Sequence, residues 1–187
     1  MVARYEPRDH YFQRAKREGY AARSVYKLEE IDRKQRLLTK GTRVLDLGAA
    51  PGSWTQYASD AVGPKGIVVA IDRAPLTIAP RPNVRVLQAD AFALDPAALL
   101  ALAGGPFDVV LSDMAPATTG DRFVDQQRSA DLCGRALEVA RAVLKPRGGF
   151  VAKALEGEST KDFVAAVRAE FEAVKLLRPQ STRKGST

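Results

Sequence analysis

The chain has 187 residues, 45% of them hydrophobic and 27% charged. That is enough for one domain with its own buried core and is ordinary for a soluble globule. No apolar run reaches the roughly 20 residues of a membrane span, and the charged opening, broken by Pro7, does not read as a signal peptide. The single cysteine, Cys133, leaves no intrachain disulfide or multi-cysteine metal site and reads as buried packing. The single histidine, His10, argues against a zinc site and a Ser-His-Asp triad. No metal is expected, and acid–base work falls to Lys, Asp, Glu or Tyr. The net charge of +7 sits at the ends: residues 1–43 carry 12 Lys/Arg against 6 Asp/Glu, and residues 175–187 add four basic residues and no acid. Basic ends on a near-neutral middle suit a polyanion, most often nucleic acid. A merely solubilising surface would have the same composition.

Residues 9–18 and 20–36 read as two basic helices, the second with an apolar stripe at Val25, Leu28 and Ile31. Lys40-Gly41-Thr42 ends it. A first strand is predicted over Arg43–Leu47, then a turn, then a helix over Trp54–Ala61. Strands follow at Ile67–Ile71 and Val84–Leu87, with a proline-rich loop between them. A helix over Pro96–Leu102 leads to a fourth strand, Asp108–Leu111. A loop over Thr118–Asp121 opens a long amphipathic helix, about Asp125–Leu144. Pro146-Arg147-Gly148-Gly149 turns into a fifth strand, Phe150–Lys153. A helix over Lys161–Glu172 and a short apolar run, Ala173–Leu177, taken as a sixth strand, precede a polar, basic tail. Short apolar strands alternating with amphipathic helices predict an open α/β sheet with mostly parallel strands and helices on both faces.

Such sheets bind ligands at the carboxyl ends of their strands. The residues placed there are Asp46, Gly48, Asp72, Asp90, Asp113 and Lys153. Gly48 and Gly52 lie four apart, unlike the dinucleotide fingerprint, and no Gly-Lys-Ser/Thr ending marks a triphosphate loop. An acid at the strand end suits a ligand with positive charge, such as the sulfonium and ammonium of S-adenosylmethionine. Asp72 can accept from ribose hydroxyls, or else cap a turn. Asp90 is placed to meet an adenine amino group, or else to serve as an N-cap or Asx-turn. Asp113 precedes the stiff Met114-Ala115-Pro116 turn. Lys153 ends an apolar strand and would reach into the cleft. A second cation nearby favours a lysine's neutral, proton-accepting form. Lys27 is the candidate, although helical spacing alone would make it a surface charge.

Four ordered blocks carry a resemblance over about Arg14–Arg178: Arg23-Ser24-Val25-Tyr26-Lys27-Leu28, Asp46-Leu47-Gly48-Ala49-Ala50-Pro51-Gly52-Ser53-Trp54, Ser112-Asp113-Met114-Ala115-Pro116, and Val151-Ala152-Lys153 with Glu156-Gly157-Glu158. Together they resemble the FtsJ/RrmJ family of S-adenosylmethionine-dependent RNA ribose 2′-O-methyltransferases. The resemblance implies a Rossmann-like class I methyltransferase fold. It implies methyl transfer to a uridine 2′-hydroxyl in 23S ribosomal RNA of the large subunit. It also implies cofactor contacts at Gly52, Trp54, Asp72, Asp90 and Asp113, beside Asp46 and Gly48 of the turn. Lys27, Asp113 and Lys153 match three members of the family's Lys-Asp-Lys-Glu tetrad. The glutamate belongs at the start of a final antiparallel strand after a basic loop. That loop, Arg178–Gly185, is present, but neither the glutamate nor the strand occurs before Thr187, and Glu156 and Glu158 sit in another motif. The resemblance therefore implies a slot in the sheet between the fifth strand and the sixth, Ala173–Leu177.

The implied organisation is one methyltransferase domain over 1–187. Basic N-terminal helices occupy 1–42, the cofactor-binding core 43–177 and a basic tail 178–187. A cytoplasmic monomer without membrane contact is expected. Lys153 is the expected base, Asp113 its orienting partner, and Lys27 a source of positive potential. Three other readings share parts of the pattern. A base N-methyltransferase usually shows a Pro-Pro-Tyr/Phe-type motif at the fourth strand. A non-catalytic RNA-binding module that holds the cofactor is favoured by the absent glutamate. An NAD-dependent oxidoreductase is disfavoured by the glycine spacing and by the lack of a Tyr-x-x-x-Lys pair.

Overall fold

The structure, a computed structural model, describes residues 10–117, 119–155 and 157–182. The β-branched apolar runs form strands β1 (Arg43–Leu47), β2 (Ile67–Asp72), β3 (Val84–Gln88), β4 (Phe107–Ser112) and β5 (Leu144–Ala152). They build a parallel sheet in the order β3-β2-β1-β4-β5. The helices are α1 (His10–Arg17), α2 (Val25–Gln35), α3 (Ser53–Val62), α4 (Pro96–Ala103), α5 (Arg122–Val143) and α6 (Glu158–Glu170), with a 3₁₀ turn at Ala91–Ala93.

Successive strand residues point to opposite faces, so each strand feeds two cores. Leu45, Leu47, Val69, Ile71 and Val110 pack under Leu99 of α4 and Ala136, Val139 and Val143 of α5. Val44, Val68, Val109 and Leu111 pack under Leu28 of α2 and Trp54, Ala58 and Val62 of α3. This sandwich matches the predicted α/β architecture. The winding reverses at β1, which places the crevice between β1 and β4 at the carboxyl end of the sheet.

Three elements differ from the sequence reading. The second helix begins at Val25, not at residue 20. Gln56 of α3 intervenes: its amide nitrogen donates to the Gly19 carbonyl at 3.1 Å and its oxygen accepts from Ala21 N at 2.8 Å, holding residues 19–24 in turns. The fifth strand starts early, but Phe107 faces Leu144 while Val109 faces Gly149, so the expected Pro146–Gly149 turn survives as an irregularity inside it. The run Ala173–Leu177 is not a strand; it passes as irregular chain. Among the described residues, no strand pairs with the outer edge of β5. A groove of about 560 Å³ lies there instead, walled by Phe150, Val151, Phe163, Phe171 and Val174. It lies between β5 and the irregular run expected to be the sixth strand.

Residues 175–182 are fastened to α2 and the turn before it. Arg23 donates to the Ser181 carbonyl at 2.5 Å, Gln180 N donates to Glu30 at 2.8 Å, and Lys175 donates to Gln35 at 2.9 Å. The described part of the basic tail and the basic N-terminal helices therefore share one face. Residues 183–187 of that tail, and residues 1–9, lie outside the described chain.

Asp32, 9% exposed, ties α2 to the loop at its C-terminal end and to α3: one oxygen accepts from Leu38 N at 2.8 Å and the other from the Tyr57 hydroxyl of α3 at 3.0 Å. Asp32→Ala strands both donors and is expected to cost roughly 1–3 kcal/mol. Urea denaturation measures it, with the exposed Lys65→Ala as the reference. Equal midpoints for the two variants would show that the tie is inert.

Candidate active site at the strand ends

The turn after β1 is held by main-chain bonds to its neighbours. Gly48 N and Ala49 N donate to the Ile71 carbonyl at 2.9 and 3.1 Å. Ala50 N donates to Asp72 Oδ2 at 2.9 Å. Gly48 has φ +76°, and a Cβ there would stand 2.7–2.8 Å from Met114, including its backbone. Gly52 has φ +118°, and a Cβ would meet Ile78 at 2.5 Å. Both positions thus need glycine for conformation and for space. The turn closes directly on the segment after Asp113.

The predicted residues form a row across the sheet. Asp113 N donates to the Leu47 carbonyl at 3.1 Å, Lys153 N to the Ser112 carbonyl at 2.9 Å, and Ala89 N to the Asp72 carbonyl at 3.0 Å. These bonds set Asp90, Asp72, Gly48, Asp113 and Lys153 side by side, about one strand spacing apart. The Lys153 ammonium donates to the Asp113 carbonyl at 2.8 Å, and Asp113 Oδ1 lies at the same distance. The carboxylate contact is an ion pair without a well-aligned hydrogen bond. Lys27, half-buried, borders the same groove as Asp113, Lys153 and Trp54. It is not the free surface charge that helical spacing alone suggests.

Other predicted residues have local work as well. Asp72 Oδ1 accepts from Ala74 N at 2.8 Å, so this side chain already braces the turn with both oxygens. Asp90 Oδ1 caps the 3₁₀ turn by accepting from Phe92 N at 3.0 Å, and its other oxygen lies 3.8 Å from Arg73. Trp54 is 4% exposed and donates to the Ser24 carbonyl at 2.8 Å. Three contributors escaped the sequence reading: Thr55, Gln56, and Cys133, whose thiol donates to the Lys153 carbonyl at 3.2 Å. Thr55 alone left a signal, one turn into the helix after Asp46.

Asp46 is fully buried within β1. Its Oδ2 accepts from Thr55 at 2.6 Å, and its Oδ1 has no partner. Burial pushes its carboxyl up to about 7, aided by the nearby charges of Asp113 and Asp72. Asp113 and Asp72 lie within electrostatic reach of it and suit a ligand bearing positive charge, whereas Asp46, expected to face that ligand, is instead buried inside the strand. A raised carboxyl holds its proton in the folded state while the unfolded chain releases it. Its stabilising contribution is therefore full below about pH 4 and is lost as pH rises through about 7. Asp46→Asn keeps an acceptor for Thr55 and removes that titration. Denaturation midpoints at pH 5 and 8 should differ less in the variant than in the wild type, and an unchanged difference would place the titration elsewhere.

Residues 20–187 match the model of the FtsJ-like methyltransferase family. Among curated relatives, "Ribosomal RNA large subunit methyltransferase E" of Syntrophobacter fumaroxidans is 50% identical over 182 residues, covering 97% of this chain and 92% of the relative. Its namesake in Nitratidesulfovibrio vulgaris is 52% identical over 177 residues, covering 94% and 88%. A crystal structure from Plasmodium falciparum, assigned as a ribosomal RNA methyltransferase, superposes with a TM-score of 0.77 at 26% identity, covering 87% of this chain and 93% of that one. With the strand-end row in place and matches of this extent, the chain belongs to the FtsJ-like methyltransferase family and is a methyltransferase.

Proposed function

We propose that this chain transfers a methyl group from S-adenosylmethionine to a ribose 2′-hydroxyl of RNA, at a uridine of 23S ribosomal RNA. The observation that carries the reading is the Lys153–Asp113 pair at 2.8 Å, at the joined ends of β4 and β5 beside Lys27. When bound, the cofactor supplies an electrophilic methyl on a cationic sulfur. The strand-end acids suit that charge. Asp72 and Asp90 keep carboxylate lone pairs for ribose and adenine beyond the bonds they make within the turn. Gly48 and Gly52 leave the turn free of side-chain bulk.

The protein's task is then to place a ribose oxygen in line with the methyl carbon and to remove its proton. Lys153 Nζ, once it has given up a proton to solvent and stands as the neutral amine, takes the hydroxyl proton as the oxygen attacks. Asp113 holds Nζ from two directions, through its carbonyl and its carboxylate. Lys27 adds positive potential where negative charge grows on the oxygen. The 2′-hydroxyl is what separates RNA from DNA, so this chemistry selects RNA. The curated relatives carry the name of a ribosomal RNA large subunit methyltransferase, which supports ribosomal RNA as the substrate. The shared basic face of α1, α2 and the chain up to residue 182 offers phosphate contacts. Among the described residues, no helix is long and apolar enough to cross a membrane.

Transfer of tritiated methyl from S-adenosylmethionine to large-subunit particles from a strain lacking the modification tests the reading. Lys153→Ala is expected to slow transfer about 10²–10⁴-fold while both ligands still bind. Lys153→Arg should fail equally, because a guanidinium stays protonated. A wild-type rate in either variant would remove Lys153 from the proposed base role. RNA affinity should also drop steeply with salt, on the order of tenfold or more between 50 and 200 mM. A flat salt response would remove the phosphate-binding face from the proposal.

A further inference from the structure

Helix α5 runs one continuous stripe past the reactive end of the site and then beyond the protein. Low on the helix, Cys133 donates to the Lys153 carbonyl. One turn nearer the N-terminus, Ser129 and Ala130 border a small cavity shared with Ala154, Leu155 and Gly157. A further turn up, the Gln126 side chain lies 3.0 Å from where a Cβ of Gly157 would stand. Three residues on, the same face presents Phe123 near the start of the helix, and its ring is 77% exposed.

No other large hydrophobic among the described residues is more exposed. A ring so placed contributes little to the fold, yet its backbone is firmly held. Asp121 accepts from Phe123 N at 2.9 Å and from Val124 N at 3.3 Å. Thr119 donates to Asp125 from both its amide and its hydroxyl, at 2.8 and 2.9 Å, which pins the loop that descends to Asp113. At 1.5 Å per residue, Phe123 stands roughly 15 Å along the helix from Cys133, and so from the main chain of Lys153. That distance is too long for the base of the reacting nucleotide. It suits a base a few nucleotides away on an extended strand.

We infer that Phe123 is a stacking platform for a flanking base of the RNA substrate. This rests on Lys153 marking the reacting end of the site. Splayed single-stranded bases are recognised by stacking on aromatic rings, and stacking tolerates any base because each has a π-face. Phe123 therefore sets the binding strength and approach of the strand rather than the identity of the target.

The test uses the full chain, RNA freed of protein, and intact particles. Phe123→Ala is expected to weaken RNA binding and raise the RNA KM about 5- to 100-fold, with kcat, cofactor affinity and thermal midpoint unchanged. Phe123→Leu should stay defective. Phe123→Trp should bind normally, and its emission should be quenched by RNA; the one native tryptophan, Trp54, is 4% exposed, and the wild type supplies its background. Unchanged affinity in Phe123→Ala overturns the inference. So does full rescue by leucine, a wild type that binds no protein-free RNA, or a defect seen on particles alone, which would mark a contact with protein. Lys153→Ala runs alongside: wild-type turnover there would fail the reading of the site, while the direct binding data still decide the stacking.

Discussion

The approach of Gly48 to the backbone of Met114 is the constraint on which the strand-end row depends. With less than 3 Å available for a Cβ, the turn after β1 rests directly on the segment after β4. This contact closes the crevice where the winding of the sheet reverses, and it sets Asp113 beside the turn without intervening side chains. The main-chain bonds from Asp113 to Leu47 and from Lys153 to Ser112 carry the alignment outward to β5. The groups proposed to react are thus placed by backbone register rather than by side-chain contacts alone.

Charge is arranged along that row in a gradient. Acids occupy the β3, β2 and β1 side, and lysines gather towards β5 and the groove. Asp113 stands at the boundary and serves both halves, with its carboxylate near Lys153 and its charge felt by the buried Asp46. In the proposed reaction, a cationic methyl donor and a polyanionic acceptor meet across that one side chain. Burying Asp46 without a partner for Oδ1 is costly unless it is neutral, and its raised carboxyl is the form in which the fold tolerates that cost.

Much of this is readable in the sequence because the informative features are local. The short continuous apolar runs of β1, β2 and β4 predict strands with nearly correct ends, and strand ends name the residues at the ligand side of a parallel sheet. The glycine turn and the Asp113-Met114-Ala115-Pro116 block are visible for the same reason. The features that sequence does not reveal depend on partners distant in the chain. Gln56 shortens α2 from across α3, and Cys133 grips the carbonyl of Lys153 from a helix whose pattern says only that it is amphipathic. Lys27 reads as a surface charge because a single helix cannot report that a groove lies against it. The apolar run Ala173–Leu177 reads as a strand because hydrophobicity does not reveal whether a ladder partner stands at bonding distance. Phe123 carries no signal, since one aromatic at a helix start reads as packing until the stripe below it is seen to run out of protein.

The fastening of residues 175–182 to α2 and its preceding turn has a consequence for biosynthesis. Arg23 and Ser181 are separated by 158 positions in the chain, and Glu30 and Gln180 by 150. Synthesis proceeds from the N-terminus, and early segments can fold as they emerge. Helix α2 and the first strands can therefore assemble while residues 175–182 are still to be made. The face that joins both basic ends closes only when that segment arrives and Arg23 and Glu30 find their partners. A nascent chain thus exposes its basic helices before residues 175–182 arrive to complete the face they share.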